Sequence, residues 1–329
     1  MKKRRPKIVV IGGGTGTYQV LVGLKKYPVD LTAVVATSDS GGSSGRLRQD
    51  LNILPPGDIR RALVALSNLP ISKKTLAQLF EFRFNNGPST SSGLTGHSVG
   101  NLLLAALTQI TGRPDLAIAE AEKILDVSGQ VLPVTLDDIH LHGVLSDGTV
   151  VHGETDIDVR RIKPETPLKE VFLSPEGKIF PKTKKAILGA NLIVLGPGDL
   201  FTSLIPNLLV KGVNEAIRNS VGKLVFVVSL MTKHGETDNF KASDYVREIR
   251  KYLGPASEKL GVIIVNEKVK LPISISRWYA QYQSEPVKLD SNHLNGLKII
   301  NRPLADGGKL IRHHPDKLAK VLVNLLKKD

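Results

Sequence analysis

The sequence predicts an α/β fold: three layers, with a mostly parallel sheet and a small β-rich insertion. Three observations predict it. Short continuous apolar runs of strand length alternate with runs of helical period, the pattern of strands buried on both faces by helices. Small glycine-bearing polar loops follow those strands. At 329 residues the chain is long enough to bury a large core.

The strand candidates follow in order. Ile8–Ile11 is a β-branched run, followed by Leu31–Thr37, Leu192–Leu195, Leu224–Leu230 and Val262–Val265, with Leu297–Ile300 adding another. Helical periodicity fits residues 17–26, 59–69, 74–84, 98–111, 114–125, 203–218, 242–253 and 315–327. In the helix at 98–111, Ser98 is placed to cap the N-terminus, with Leu102, Ala105, Ala106 and Ile110 on one face. Residues 131–180 hold short strand-like pieces, VLPVTL, IHLHGVL and TVVHGE, broken by Gly, Pro and Asp. They read as a β-rich insertion on the core, within one domain spanning 1–329 that starts with a basic tail at 1–6. Residues 84–97, FNNGPSTSSGLTGH, read as a mobile loop. No internal repeat is visible.

Composition narrows the function classes. The absence of cysteine removes disulfides, thiolate metal sites and cysteine nucleophiles. No apolar run reaches membrane-spanning length, and Ile8–Ile11 is too short for a signal-peptide core, so a cytoplasmic location is expected. The net charge is +14, of which Lys2, Lys3, Arg4, Arg5 and Lys7 supply five in the tail. A positive field favours anionic partners. Aromatics make up only 5% and no nucleic-acid module signature is present, which favours phosphorylated small molecules over nucleic acid.

An open parallel sheet binds ligands beyond the carboxyl ends of its strands, so the loops there carry the functional reading. After the first strand comes GGGTGT, with Gly13, Gly14, Thr15 and Gly16. After the second comes SDSGGSSGRLR, with Asp39, Ser40, Gly41, Gly42, Ser43 and Ser44. After the third comes GPGDLFTSLIPN, after the fourth MTKHGETDNF, and after the fifth Asn266 and Glu267. Glycine lets the backbone approach a ligand closely, and amides at a following helix N-terminus bind phosphate. Several such loops on one rim describe a ligand crevice.

The dinucleotide fingerprint fails at its last position, where Thr17 replaces glycine, and no GK[ST] follows for a Walker A loop. Asp39 reads either as an acid for a ligand hydroxyl or magnesium, or as an Asx-turn residue bonding its own backbone. Asp58 in PPGDIR is placed as a helix cap ahead of Arg60 and Arg61, and Arg60 is within reach of the crevice. In GHSVGN, Asn101 offers an amide, while His97 suits acid–base work and a structural role equally. His140 and His142 lie near Asp138 but lack a third convergent metal ligand, and no G-x-S-x-G elbow marks a serine nucleophile. Arg312, after the glycine turn in DGGKLIRHHPDKL, is suited either to close the crevice on a phosphate or to sit as a surface arginine.

IGGGTG, SDSGGSSGRLR, LPPGDIR, GHSVGNLLLAAL, LGPGDLFTSLIPNLLV and LMTKHGET resemble, in order, motifs of the bacterial gluconeogenesis factor (YvcK-like) family, which is related to 2-phospho-L-lactate transferase (CofD-like). The resemblance runs from about Lys7 to the end and implies a Rossmann-like core. It implies a binder of UDP-sugars (UDP-N-acetylglucosamine or UDP-glucose) that supports gluconeogenic growth, cell-wall synthesis and cell shape. It also implies a homo-oligomer, a dimer or larger, that acts through a protein partner in cell-wall synthesis. Carried over by position, Gly13, Gly14, Thr15, Asp39, Gly41, Gly42, Ser43 and Ser44 line the nucleotide-sugar site, joined by Gly196, Gly198, Thr202, Asn207, Thr232 and Arg312. No catalytic residue is assigned on this reading and no cofactor is required. The transferase branch gives the alternative: magnesium at Asp39 with bound nucleotide, and Asp39 and Asp58 around the metal.

The chain departs from the family pattern at three places. Asp39 is followed by Ser40 where many relatives carry a second acid, which weakens a metal site and counts against transferase chemistry. Lys233-His234 stand where an uncharged Gln-Pro pair is expected, adding basic character beside the crevice. Pro315 excludes phosphorylation at its position.

Overall fold

The computed structural model describes residues 4–69, 74–85, 93–160, 165–267, 272–307 and 310–326. In chain order the strands are β1 (Lys7–Gly12), β2 (Asp30–Val35), β3 (Gln130–Pro133), β4 (His140–Leu145), β5 (Val150–His152), β6 (Leu168–Ser174), β7 (Leu192–Leu195), β8 (Lys223–Val227), β9 (Leu260–Asn266), β10 (Lys298–Arg302), β11 (Ala305–Asp306) and β12 (Arg312–His313). The first helices are α1 (Gly14–Leu24), α2 (Gly42–Leu51), α3 (Pro56–Leu66), α4 (Lys74–Glu81), α5 (Val99–Thr111), α6 (Pro114–Ile124) and α7 (Glu154–Val159). They are followed by α8 (Pro181–Leu188), α9 (Ile205–Leu209), α10 (Val213–Asn219), α11 (Ala242–Leu253), α12 (Ile273–Gln281) and α13 (Pro315–Asn324).

Seven strands form one sheet in the order β10-β9-β8-β7-β1-β2-β3, and every pairing in it is parallel. The predicted α/β layering follows from burial on both faces. Ile8 and Val10 of β1 join a core layer with Leu21 of α1, Leu63 of α3, Leu104 of α5 and Leu318 of α13. Val9 and Ile11 point the other way, into a layer with Ile217 of α10, Ile249 of α11 and the three-stranded sheet β5-β4-β6 through Leu141 and Val171. Alternate residues of one apolar run therefore serve two cores, which is why β1 shows no polar face.

The order of succession reverses between β1 and β7: β2 and β3 extend the sheet on one side, β8 to β10 on the other. Such a reversal parts the loops that leave the two strands and opens a crevice beyond their carboxyl ends. Among the described residues no helix is long and apolar enough to cross a membrane.

Several expected elements shift, each for a local reason. VLPVTL does not belong to the insertion; β3 pairs with β2 at the edge of the main sheet, and the antiparallel insertion sheet spans β4 to β6. The single helix expected at 203–218 is a π-helical turn at Leu200–Leu204, then α9 and α10, because Pro206 restarts the helix and Gly212 turns left-handed at φ 97°. Helix α1 starts inside GGGTGT, at Gly14, and the expected loop SDSGGSSGRLR contains the whole start of α2. Ser98 caps α5 as expected, accepting from the Asn101 N–H. The middle of the expected mobile loop, 86–92, lies outside the described residues. Its ends are closed by the Phe84 N–H donating to the His97 carbonyl (3.0 Å) and the Gly96 N–H donating to the Phe84 carbonyl (2.8 Å).

Candidate functional site

A cavity of about 580 Å³ opens at the strand-order reversal. The β1 loop forms one wall. Gly13 is extended, Gly14 adopts φ +66°, and the Gly14 N–H donates to Asp58 Oδ1 at 2.9 Å. A Cβ on Gly13 would lie 2.2 Å from Asp58 Oδ2, so the loop reaches α3 only because that residue is glycine. No side chain caps α1, and its first-turn residues Thr15 and Gly16 line the cavity. Thr17, the residue that breaks the dinucleotide spacing, is buried, with its hydroxyl 2.5 Å from the place a Cβ on Gly12 would take. The close strand–helix packing is thus provided by Gly12 from the strand side.

The β2 loop forms the second wall. Asp39 Oδ1 accepts the Gly41 N–H at 2.8 Å, which is the Asx-turn alternative realised; the same residue also lines the cavity, as do Gly41, Gly42, Ser43 and Ser44. Helix α2 likewise has no side-chain cap at its N-terminus. Two helix N-termini, each with a positive end, therefore face one cavity. The β7 loop adds Gly198, Asp199 and Thr202.

Behind the β2 loop a buried polar chain sets orientation. Arg60 Nε donates to Asn101 Oδ1 (3.0 Å), Asn101 Nδ2 donates to Ser43 Oγ (3.0 Å), and Ser43 Oγ pairs with His97 Nδ1 (3.0 Å). Arg60 and Asn101 line the cavity, beside Arg61 and Arg83. Burial pulls Arg60 down to about 10 and lowers His97. His97 is thus a buried partner of Ser43, set behind the cavity wall.

Acids crowd the same space. Burial and the neighbouring Asp39 raise Asp58 to about 6. Burial and Asp39 raise Glu154, brought in by α7, to about 8. Burial and Glu236 push Asp199 upward. Asp58 is not a helix cap: Pro55 holds the cap position of α3, and the Asp58 carboxylate is turned across to the β1 loop.

A second cavity of about 310 Å³ adjoins the first and shares Thr15, Gly16, Gly198 and Asp199 with it. Thr232, Tyr279 and Arg312 line it. The Ile311 N–H donates to Tyr279 Oη at 2.9 Å, tying the Arg312 segment to α12.

Three expected site residues stand behind these walls. Ser40 Oγ accepts the Thr155 N–H (3.1 Å) and joins the β2 loop to α7. The Gly196 N–H donates to the Ile11 carbonyl (2.9 Å) and holds the β7 turn against β1. Asn207 is fully buried, with Nδ2 donating to the Ser203 carbonyl (2.9 Å). His142 Nδ1 lies 2.9 Å from His152 Nδ1, across from β5, and away from the crevice.

The model of the 2-phospho-L-lactate transferase CofD family matches residues 8–305. The gluconeogenesis factor of Halalkalibacterium halodurans is 42% identical over 329 residues, covering 98% of this chain and 97% of that one. The gluconeogenesis factor of Bacillus subtilis is 42% identical over 330 residues, covering 98% and 99%. The chain belongs to the CofD family, in its gluconeogenesis-factor branch. A crystal structure of a UPF0052 family member from Bacillus halodurans superposes with a TM-score of 0.90 at 41% identity, covering 98% of this chain and 99% of that one.

Within this CofD-family crevice, sequence reasoning missed Glu154 and Asp158, which arrive on α7 from the insertion and follow no recognised strand loop. Tyr279 was missed for a similar reason: α12 carries no buried residue, so its apolar pattern gives no core signal. Asp199 was missed as well, although it stands in GPGD directly after β7, beside the glycines that were named. Lys233 was noted as added basic character, but its charge is taken up by Asp158, Asp199 and Glu236.

Proposed function

We propose that this CofD-family chain is a gluconeogenesis factor that binds a UDP-sugar. The observation that carries the reading is the pair of adjoining cavities joined across the uncapped N-terminus of α1. A nucleotide sugar has the matching layout: a flat base, a diphosphate, and a polyhydroxyl ring. The base and ribose lie in the smaller cavity beside Tyr279 and Arg312. The diphosphate crosses at Thr15 and Gly16, and the sugar enters the larger cavity, where Asn101, Arg60 and the carboxylates supply donors and acceptors. The name shared by its relatives supports a role in gluconeogenic growth. In this reading the role is exercised in the cytoplasm through cell-wall synthesis and cell shape, and needs no resident cofactor.

Isothermal titration with UDP-N-acetylglucosamine tests this; no heat at millimolar ligand sinks it. Arg312→Ala should weaken binding about 10- to 100-fold, the loss of one charge-assisted contact being worth about 1.5–3 kcal/mol. An unchanged affinity removes Arg312 from the site.

The match to a transferase family supports a second reading, a magnesium-dependent phospholactyl-type transferase. Asp39 and Asp58 each spend Oδ1 on a backbone amide, and both residues line the larger cavity. Two carboxylates suit magnesium when ligand phosphates and waters complete its shell. When bound, the ion would neutralise diphosphate charge. Turnover of a nucleotide diphospho-substrate that is lost in Asp39→Asn would favour this reading; no turnover across a panel of such substrates would end it.

A further inference from the structure

Lys233 ends among three carboxylates contributed by three separate segments. Its Nζ pairs with Asp158 on α7, lies 2.9 Å from Asp199 after β7, and lies 3.0 Å from Glu236 after β8. One oxygen of each carboxylate lies within 4.8 Å of the other two, a spacing that would hold a metal ion, and among the described residues no other such group of three occurs. Glu236 is aimed independently of the lysine. The Glu236 side chain is wholly buried, with Oε2 accepting the Phe201 N–H (3.2 Å) and Oε1 accepting the Thr202 hydroxyl (3.1 Å). The lysine is anchored too, its own N–H donating to Thr237 Oγ1 at 2.9 Å.

We infer that Lys233 is a tethered cation: its ammonium occupies a position built for a divalent ion and keeps that position free of metal. The chemistry of the donors supports this. An all-oxygen carboxylate set suits a hard divalent cation such as Mg²⁺, Mn²⁺ or Ca²⁺. An ammonium is the compact side-chain cation with three donors, one for each carboxylate here. Being covalently held, it never dissociates and is indifferent to metal supply. The position also matters. Asp158 and Asp199 line the larger cavity, while Asp199 and Lys233 line the smaller. The tethered charge therefore sits where the two cavities meet, and a crevice ligand needs no metal at that point. The inference rests on this geometry and does not depend on which ligand the crevice holds.

Mn²⁺ binding, read by electron paramagnetic resonance and by thermal melting, tests it on wild type, Lys233→Met, Lys233→Arg and Lys233→Met/Asp199→Asn. Lys233→Met should gain one Mn²⁺ site at least tenfold tighter than any wild-type binding that depends on Asp199. That site should vanish in the double variant. Mn²⁺ should raise the melting temperature of Lys233→Met by more than that of wild type, Lys233→Arg or the double variant, because an ion bound only by the native state stabilises it. If Lys233→Met does not fold, Lys233→Gln carries the same comparison. A folded variant with no Asp199-dependent Mn²⁺ site would make Lys233 an ordinary ion-pair partner and overturn the inference. So would a wild type that already binds Mn²⁺ through Asp199.

Discussion

Gly16→Ala will part the two loops at the centre of the crevice, lower the melting temperature and cut UDP-N-acetylglucosamine affinity at least tenfold. A Cβ there would lie 2.3 Å from the Pro197 carbonyl oxygen, 2.7 Å from its carbon and 3.1 Å from the Gly198 nitrogen. All three atoms are backbone, so no rotamer change relieves the clash. The β1 and β7 loops must move apart, at an overpacking cost of about 1–3 kcal/mol. Gly16 and Gly198 line both cavities and Pro197 the smaller one, so binding falls with stability. Gly112→Ala, at the C-terminal end of α5 and outside both cavities, is the control: its φ is +69° but nothing lies within 4 Å, and it should carry only a backbone strain of about 1 kcal/mol. A Gly16→Ala protein with unchanged affinity and melting temperature would show that the loops are not in register-defining contact.

Glu154→Gln will stabilise the protein near pH 9 and leave it unchanged near pH 4. The folded-state acid is raised to about 8 from its ordinary 4.5, with burial the main cause, Asp39, Glu236 and Asp58 adding to it and Lys233 pulling it down. Between those two values the folded chain keeps a proton that the unfolded chain releases, so stability falls as pH rises through that window. Below it both states are protonated and the group contributes nothing. A tenfold change in proton affinity is worth about 1.4 kcal/mol in a fully shielded group, and crevice water screens Glu154, so the gain near pH 9 should be about 1–2 kcal/mol. Asp58, raised to about 6, follows the same sign over a lower range. A diphosphate ligand adds negative charge beside these acids. Its binding should therefore take up protons and weaken from about pH 6 to 9. Denaturation curves at the two extremes decide the first claim, and titrations in buffers of different ionisation heat decide the second. Destabilisation by Glu154→Gln near pH 9, or an equal effect at both extremes, would refute the sign.

Local sequence carried much of this structure. Ile8–Ile11 announces a strand buried on both faces, and the loops after it and after β2 line the larger cavity. Legibility failed where partners lie far apart in the chain. Asp58 looked like a cap because its true partner, the Gly14 amide, is 44 residues away. Residues 38–48 looked like a loop because glycine and serine lower helix propensity, yet Gly42–Leu51 is a helix that packs Leu47 into a small core with Ile53 and Ala105. Lys233 looked like a free positive charge because each of the three acids that absorb it sits on a different element. Glu154 and Asp158 depend on how the insertion folds back, which no strand-and-loop pattern encodes.

Thr15, Gly16, Gly198 and Asp199, which line both cavities, form a sill between a chamber of about 580 Å³ and one of about 310 Å³. If the crevice holds a nucleotide sugar, as proposed, a free nucleotide or a free sugar phosphate would fill one chamber and leave the other to water. A molecule long enough to cross the sill engages both, the first anchored half holding the second at high effective concentration. On the proposed reading the crevice would work as a length gauge, discriminating by the span between two moieties before any atom of either is recognised.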